Sequence, residues 1–164
     1  MTASIYVGLG SNSDRETRIY QAVVALREQF GEIELSPVYS SAAVGFEGSD
    51  FLNLVAGIET NLDCEAVVVI FRAIEDRLGR DRSEPKFASR PIDLDILTYD
   101  DLIFEVPGIH IPRPEILQNA FVLKPLQDIA GDQIHPQVGE SYSTLWQRMS
   151  ADAPRLDLFP LNLD

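Results

Sequence analysis

Residues 4–9, Ser-Ile-Tyr-Val-Gly-Leu, are largely apolar and are closed by Gly10-Ser11-Asn12-Ser13-Asp14, a cluster of turn formers and helix caps. They predict a buried strand that runs into a helix. Over 15–30 the positions Ile19, Ala22, Val23, Leu26 and Phe30 recur at helical spacing, and Gly31 supplies the stop. Residues 33–40 alternate weakly and 51–60 read as a stronger strand, with Gly45, Gly48 and Ser49 in the loop between them. Asn61-Leu62-Asp63 then caps a helix over about 64–78, whose face carries Val67, Val68, Phe71, Ile74 and Leu78 and which ends at Gly79. In 92–98 the residues Ile92, Leu94 and Ile96 alternate with Asp93 and Asp95, so a strand follows Pro91. A turn at Asp100-Asp101 before Leu102-Ile103-Phe104 suggests a hairpin. Pro and Gly dominate 107–114, 115–129 has helical periodicity, and 143–149 reads as a last short helix.

The order strand, helix, strand, strand, helix, strand is that of a ferredoxin-like βαββαβ core. The expected fold is α+β: a mostly antiparallel sheet with two helices on one face and extra C-terminal elements. Its 164 residues suit a single domain, 1–164.

Composition narrows the function. A 45% apolar and 24% charged chain has an ordinary globular balance. The single cysteine, Cys64, has no partner for an internal disulfide and no Cys/His cluster around it. With no long apolar run and no leader-like N-terminus, the expectation is a cytoplasmic protein without a membrane partner. The net charge of −13 argues against a nucleic-acid partner. Within 77–90, however, Arg77, Arg80, Arg82, Lys86 and Arg90 outnumber Asp81 and Glu84 and give +3, leaving −16 for the rest. Cations gathered in one segment of an acidic chain point to a compact anionic ligand.

Asp93 and Asp95, two apart on a strand, share a face at roughly 6–7 Å separation. Either water screens the pair on a solvated edge strand, or a hard divalent cation such as Mg²⁺ sits between the carboxylates. The upstream Arg80, Arg82, Lys86 and Arg90 favour the second reading, because guanidinium forks bind phosphate oxygens in pairs. Carboxylates for metal and guanidiniums for phosphate are the parts of a phosphoryl or nucleotidyl transfer site. A Walker-type Gly-x-x-x-x-Gly-Lys loop is missing, which excludes a P-loop kinase.

Gly10-Ser11-Asn12, Asp50-Phe51-Leu52-Asn53, Glu75 with Gly79-Arg80 and Arg82, Arg90-Pro91-Ile92-Asp93-Leu94-Asp95-Ile96, and Phe121-Val122-Leu123 before Pro125-Leu126 follow one another in a diagnostic order. With these pieces, residues 4–137 resemble the 6-hydroxymethyl-7,8-dihydropterin pyrophosphokinase family, folate-pathway enzymes that move pyrophosphate from ATP to a pterin alcohol. The resemblance implies that Asp93 and Asp95 hold two Mg²⁺ ions and that Arg80 and Arg90 act with them in catalysis. It implies that Glu75, Arg82, Phe87, Ile96 and Arg113 bind the nucleotide, Phe87 as a lid residue. Ser41, Val44, Phe51, Asn53 and Phe121 would bind the pterin, with the two phenylalanines sandwiching its rings and the Asn53 amide reading its edge. Pterin and ATP would be the partners of a monomer or weak dimer.

Two segments depart from the family pattern. Pro112-Arg113-Pro114 stands where the family has Pro-His-Pro or Pro-His-Tyr, and Asn119 replaces an Arg six residues after that position. A neutral amide in place of a guanidinium weakens a phosphate contact, by tenfold or more unless Arg113 compensates. Ser40-Ser41-Ala42-Ala43-Val44-Gly45 stands where the family tends to have Thr-x-Pro, so substrate preference is less constrained than reaction type. The competing readings are a divergent relative with another pterin substrate or no turnover, and a ferredoxin-like binding or regulatory module.

Overall fold

The computed structural model describes residues 2–41, 50–79 and 91–164. Val44, Arg80, Arg82, Phe87 and Arg90 therefore lie outside the described residues.

Strand β1 (Ala3–Ser11) is central, between β4 (Phe51–Thr60) and β5 (Asp93–Tyr99), and both pairings are antiparallel. With β2 (Glu34–Leu35) and β3 (Tyr39–Ser41) both on β4, and β8 (Asp157–Leu158) on β3, the order is β5-β1-β4-β3-β8. Counting β2 and β3 as one interrupted strand, the core has the ferredoxin-like order 4-1-3-2 expected from the alternation of elements.

Helices α1 (Arg15–Phe30) and α2 (Cys64–Arg77) cover one face. Ile5, Val7 and Leu9 of β1, Leu52, Leu54, Ala56 and Ile58 of β4, and Leu94 and Ile96 of β5 meet Ile19, Val23, Leu26, Val67, Phe71 and Ile74 there. These strand positions are two apart, as a pleated sheet with one apolar face requires. Asp63 caps α2 by accepting from Ala66 N at 2.8 Å, and Gly79 takes φ +101°, a left-handed turn that suits glycine.

The opposite face is covered too. Val55 and Leu97 pack with Leu123, Leu126 and Ala130 of α3 (Ala120–Ala130) and with Tyr142 and Leu145 of α4 (Tyr142–Ser150). The sheet is thus the middle of three layers.

Three local expectations need correction. The single strand over 33–40 is broken, because Pro37 has no N–H to give the ladder and Ser36 substitutes for it. Ser36 N donates to Val55 O and Ser36 Oγ accepts from Val55 N, both at 2.9 Å. The turn at Asp100-Asp101 forms, with Asp100 at φ +49°, but it does not return the chain onto β5. Instead β6 (Phe104–Val106) pairs forward with β7 (Ile109–Ile111) across Pro107-Gly108, and the glycine adopts φ +86°. The periodic run 115–129 splits into a short 3-10 turn, Pro114–Leu117, and α3, because Asn119 is extended at φ −123° and serves as the N-cap residue. Pro125 inside α3 gives up the bond its N–H would donate to the Phe121 carbonyl.

Candidate functional site

The site lies on the sheet face opposite α1 and α2, where β1 carries two glycines. Asp93 pairs with Gly10 and Asp95 with Gly8 across β1 and β5, so at these two positions β1 places no side chain opposite the carboxylates. On the other flank of β1, Gly10 pairs with Asn53. A Cβ at Gly10 would lie 2.9 Å from Asn53 Oδ1 and 4.0 Å from Phe51 Cδ1. Glycine is needed there because the Asn53 amide lies directly over the strand.

Asn53 is 8% exposed, and its Nδ2 donates to Ser41 Oγ at 2.9 Å. With Nδ2 engaged in this bond, Ser41 fixes the orientation of the amide. Ser41 pairs with Phe51 across β3 and β4, so Ser41, Phe51, Asn53 and Gly10 form one patch. Phe121, in the first turn of α3, is half-buried on the helix that covers this face.

Asp95 is the electrostatic centre. Its carboxyl is pushed up to about 6, chiefly by burial and further by the negative charges of Asp93 and Glu75, while Arg113 and Arg72 pull it back. Arg113 Nη1 is 3.6 Å from Asp95 Oδ1, and the same guanidinium pairs with Glu115. The backbone of Arg113 is tied to β5 by its N–H to Leu97 O at 2.8 Å.

Glu75 is no surface carboxylate: it is 1% exposed. Its Oε2 accepts from Leu94 N at 2.8 Å and its Oε1 pairs with Arg72 Nη1 at 3.0 Å. The Leu94 amide lies between the two aspartates, so α2 holds the strand segment that carries them. At the start of that segment, Ser11 Oγ donates to Pro91 O at 2.5 Å.

A narrow cleft beside Asp95 is lined by Arg72, Asp95, Ile96, His110 and Arg113 among others. Ile96 and Arg113, expected at the nucleotide, thus share a cleft with Asp95, although most of the Ile96 side chain is in the core. Arg72 and His110 were not anticipated from sequence. Arg72 stands three residues before Glu75, which was the available signal, whereas His110 is hidden in a run read only for its Pro and Gly.

Two carboxylates on one face of a strand suit a hard cation such as Mg²⁺, which keeps water and phosphate oxygens in its shell. Among the described residues no group of three or more His, Cys, Asp or Glu side chains could hold a metal ion. The remaining ligands would come from substrate and water.

Residues 6–131 match the family described as 7,8-dihydro-6-hydroxymethylpterin-pyrophosphokinase. The chain belongs to this family. Among pyrophosphokinase relatives, 2-amino-4-hydroxy-6-hydroxymethyldihydropteridine pyrophosphokinase of Aquifex aeolicus is 38% identical over 137 residues, covering 82% of this chain and 84% of that protein. The Bacillus subtilis protein of the same name is 36% identical over 76% of each. The folic acid synthesis protein fol1 of Pneumocystis carinii is 34% identical over 89% of this chain, which spans only 20% of that longer protein. A Plasmodium falciparum HPPK-DHPS crystal structure superposes with a TM-score of 0.75 at 16% identity, over 92% of this chain and 44% of that one. At that identity the superposition speaks for the fold alone. The pyrophosphokinase family match ends at Ile129-Ala130-Gly131, so α4, β8 and the last residues lie beyond it.

Proposed function

We propose that the chain transfers pyrophosphate from ATP to 6-hydroxymethyl-7,8-dihydropterin, giving AMP and the pterin diphosphate. Family membership supports the reaction class. The observation that carries the reading is the placement of Asp93 and Asp95 and of Asn53, Phe51 and Ser41 on one sheet face, on either side of β1. A triphosphate and a flat heterocycle could lie side by side there.

In the reaction the pterin hydroxyl oxygen forms a bond to the β-phosphorus. The bond from that phosphorus to the α,β-bridging oxygen breaks, AMP leaves with that oxygen, and the hydroxyl proton is lost. Asn53, held by Ser41, reads the pterin edge, while Phe51 and Phe121 stack on its rings. Asp93 and Asp95 are the residues that would hold Mg²⁺, two ions on this reading, which when bound neutralises phosphate charge. Arg113 neutralises further charge beside Asp95, and Arg80, Arg82 and Arg90 are assigned the same task by the family pattern. That pattern also assigns Phe87 to the nucleotide and Val44 to the pterin. Glu75 acts on the nucleotide side by holding the Leu94 amide, and Ile96 shapes the adjoining cleft. The substrates are small molecules, and no helix among the described residues is long and apolar enough to cross a membrane.

The decisive experiment follows AMP release from ATP with and without the reduced pterin and Mg²⁺. AMP that depends on both is expected. ATP binding without turnover would replace this reading with the divergent relative, and absence of both metal and nucleotide binding would leave a binding module.

A further inference from the structure

The residues beyond the family match return to the proposed pterin patch. Strand β8 adds to the free edge of β3, with Leu158 opposite Tyr39 and Asp157 opposite Ser40, and Phe159 N donates to Val38 O at 2.9 Å. Four residues later Leu163 is 7% exposed within the α1/α2 core, and its carbonyl accepts from Arg27 Nη1 at 2.6 Å. Between these anchors, the Phe159 ring lies under the guanidinium of Arg15, 5.2 Å from ring centroid to Cζ. The same guanidinium donates through Nη1 to the Asp50 carbonyl at 2.8 Å. Asp50 directly precedes Phe51.

We infer that residues 157–163 form a positioning strap for the pterin patch, acting through Arg15. This inference rests on the proposed pterin reaction. The strap holds both sides of the patch at once. Pairing with β3 fixes the strand that ends in Ser41, which orients the Asn53 amide. The Phe159–Arg15–Asp50 relay fixes the backbone from which Phe51 projects. Each link alone is weak, since an exposed cation–π contact and a single hydrogen bond each add little net stability. A ring sandwich and an amide reading one edge nevertheless depend on placement within about 0.5 Å. Loss of the relay should therefore be felt in substrate affinity before it is felt in stability. Arg15 and Phe159 are positioning residues and touch no substrate.

The test is steady-state kinetics of Phe159→Leu, which keeps apolar cover for the core, and of Arg15→Gln, with Arg15→Lys as the conservative variant. KM for the pterin should rise three- to tenfold in the first two, with kcat and KM for ATP within twofold of wild type. Arg15→Lys, which keeps the cation over the ring, should recover part of the loss. Unchanged pterin KM, or equal increases in both KM values, would overturn the strap. Hydrogen exchange of the Tyr39–Ser41 and Phe51–Asn53 amides provides a readout independent of turnover. Faster exchange in the variants is expected, and unchanged exchange would count against the strap. If wild type makes no pterin-dependent AMP, the reaction assignment fails, and the exchange rates still decide whether residues 157–163 brace these strands.

Discussion

Arg113 Nη1 stands 3.6 Å from Asp95 Oδ1, a cation from beyond the β6–β7 hairpin placed against a carboxylate that also feels the negative charges of Asp93 and Glu75. The pair links the two departures noted in the sequence, since Asn119 supplies no charge and Arg113 does. Arg113→Gln should raise KM for ATP about tenfold, the loss expected when a charge-assisted hydrogen bond becomes a neutral one. Asn119→Arg in the wild-type background should lower it. A variant set in which neither substitution moves KM for ATP would remove Arg113 from the phosphate site.

Asp95 shares its surroundings with the negative charges of Asp93 and Glu75. Asp95→Asn should abolish turnover, by at least a thousandfold, because the proposed metal loses a carboxylate, and thermal stability should not fall, because burial and then the neighbouring negative charges disfavour the ionised carboxyl. Mg²⁺ should raise the melting temperature of wild type and leave that of the variant unmoved. Differential scanning fluorimetry with and without the metal checks both, and a variant that unfolds early would show that Asp95 is structural.

Gly10 has no room for a methyl group, because a Cβ would meet Asn53 Oδ1 at 2.9 Å. Gly10→Ala should displace the amide and raise KM for the pterin about tenfold, with a smaller change in KM for ATP. Equal effects on both substrates would mean that the strand, and not the amide, had moved.

His135 is 1% exposed, and its Nδ1 accepts from the N–H groups of Gln137 at 3.2 Å and Val138 at 3.3 Å. Burial holds the imidazole below its ordinary value of 6.5. The unfolded chain then takes up the proton first as pH falls, so His135 costs the folded state nothing above about pH 6.5 and increasingly destabilises it below. Urea unfolding at pH 7.5 and 5.5 should show a larger loss for wild type than for His135→Gln. Equal losses would mean that the folded and unfolded chains titrate this ring alike.

Much of this was legible in the chain. Helical spacing over 15–30 and 64–78 and alternation in 92–98 have one physical cause, burial of a single face, and the folded chain keeps all three elements. The common face of Asp93 and Asp95 follows from the two-residue period alone. Less legible were features that depend on distant partners. Glu75 resembles any solvent-facing helix carboxylate until β5 brings the Leu94 amide against it. Nothing in residues 157–163 announces a strand, because β8 exists only through the edge that β3 offers. The covering of the second face by α3 and α4 was equally hidden, since periodicity reports that a helix has an apolar side and not which sheet face receives it.

The two glycines on β1 have a consequence for any inhibitor aimed at this face of the sheet. A compound resting on the Asn53 amide over Gly10 would touch a floor packed against the middle strand of the sheet, and a cell cannot remodel such a surface by exchanging one side chain without obstructing its own substrate. Escape substitutions should then accumulate at the rim, and chemistry that keeps most of its contact on the floor should outlast chemistry that leans on the walls.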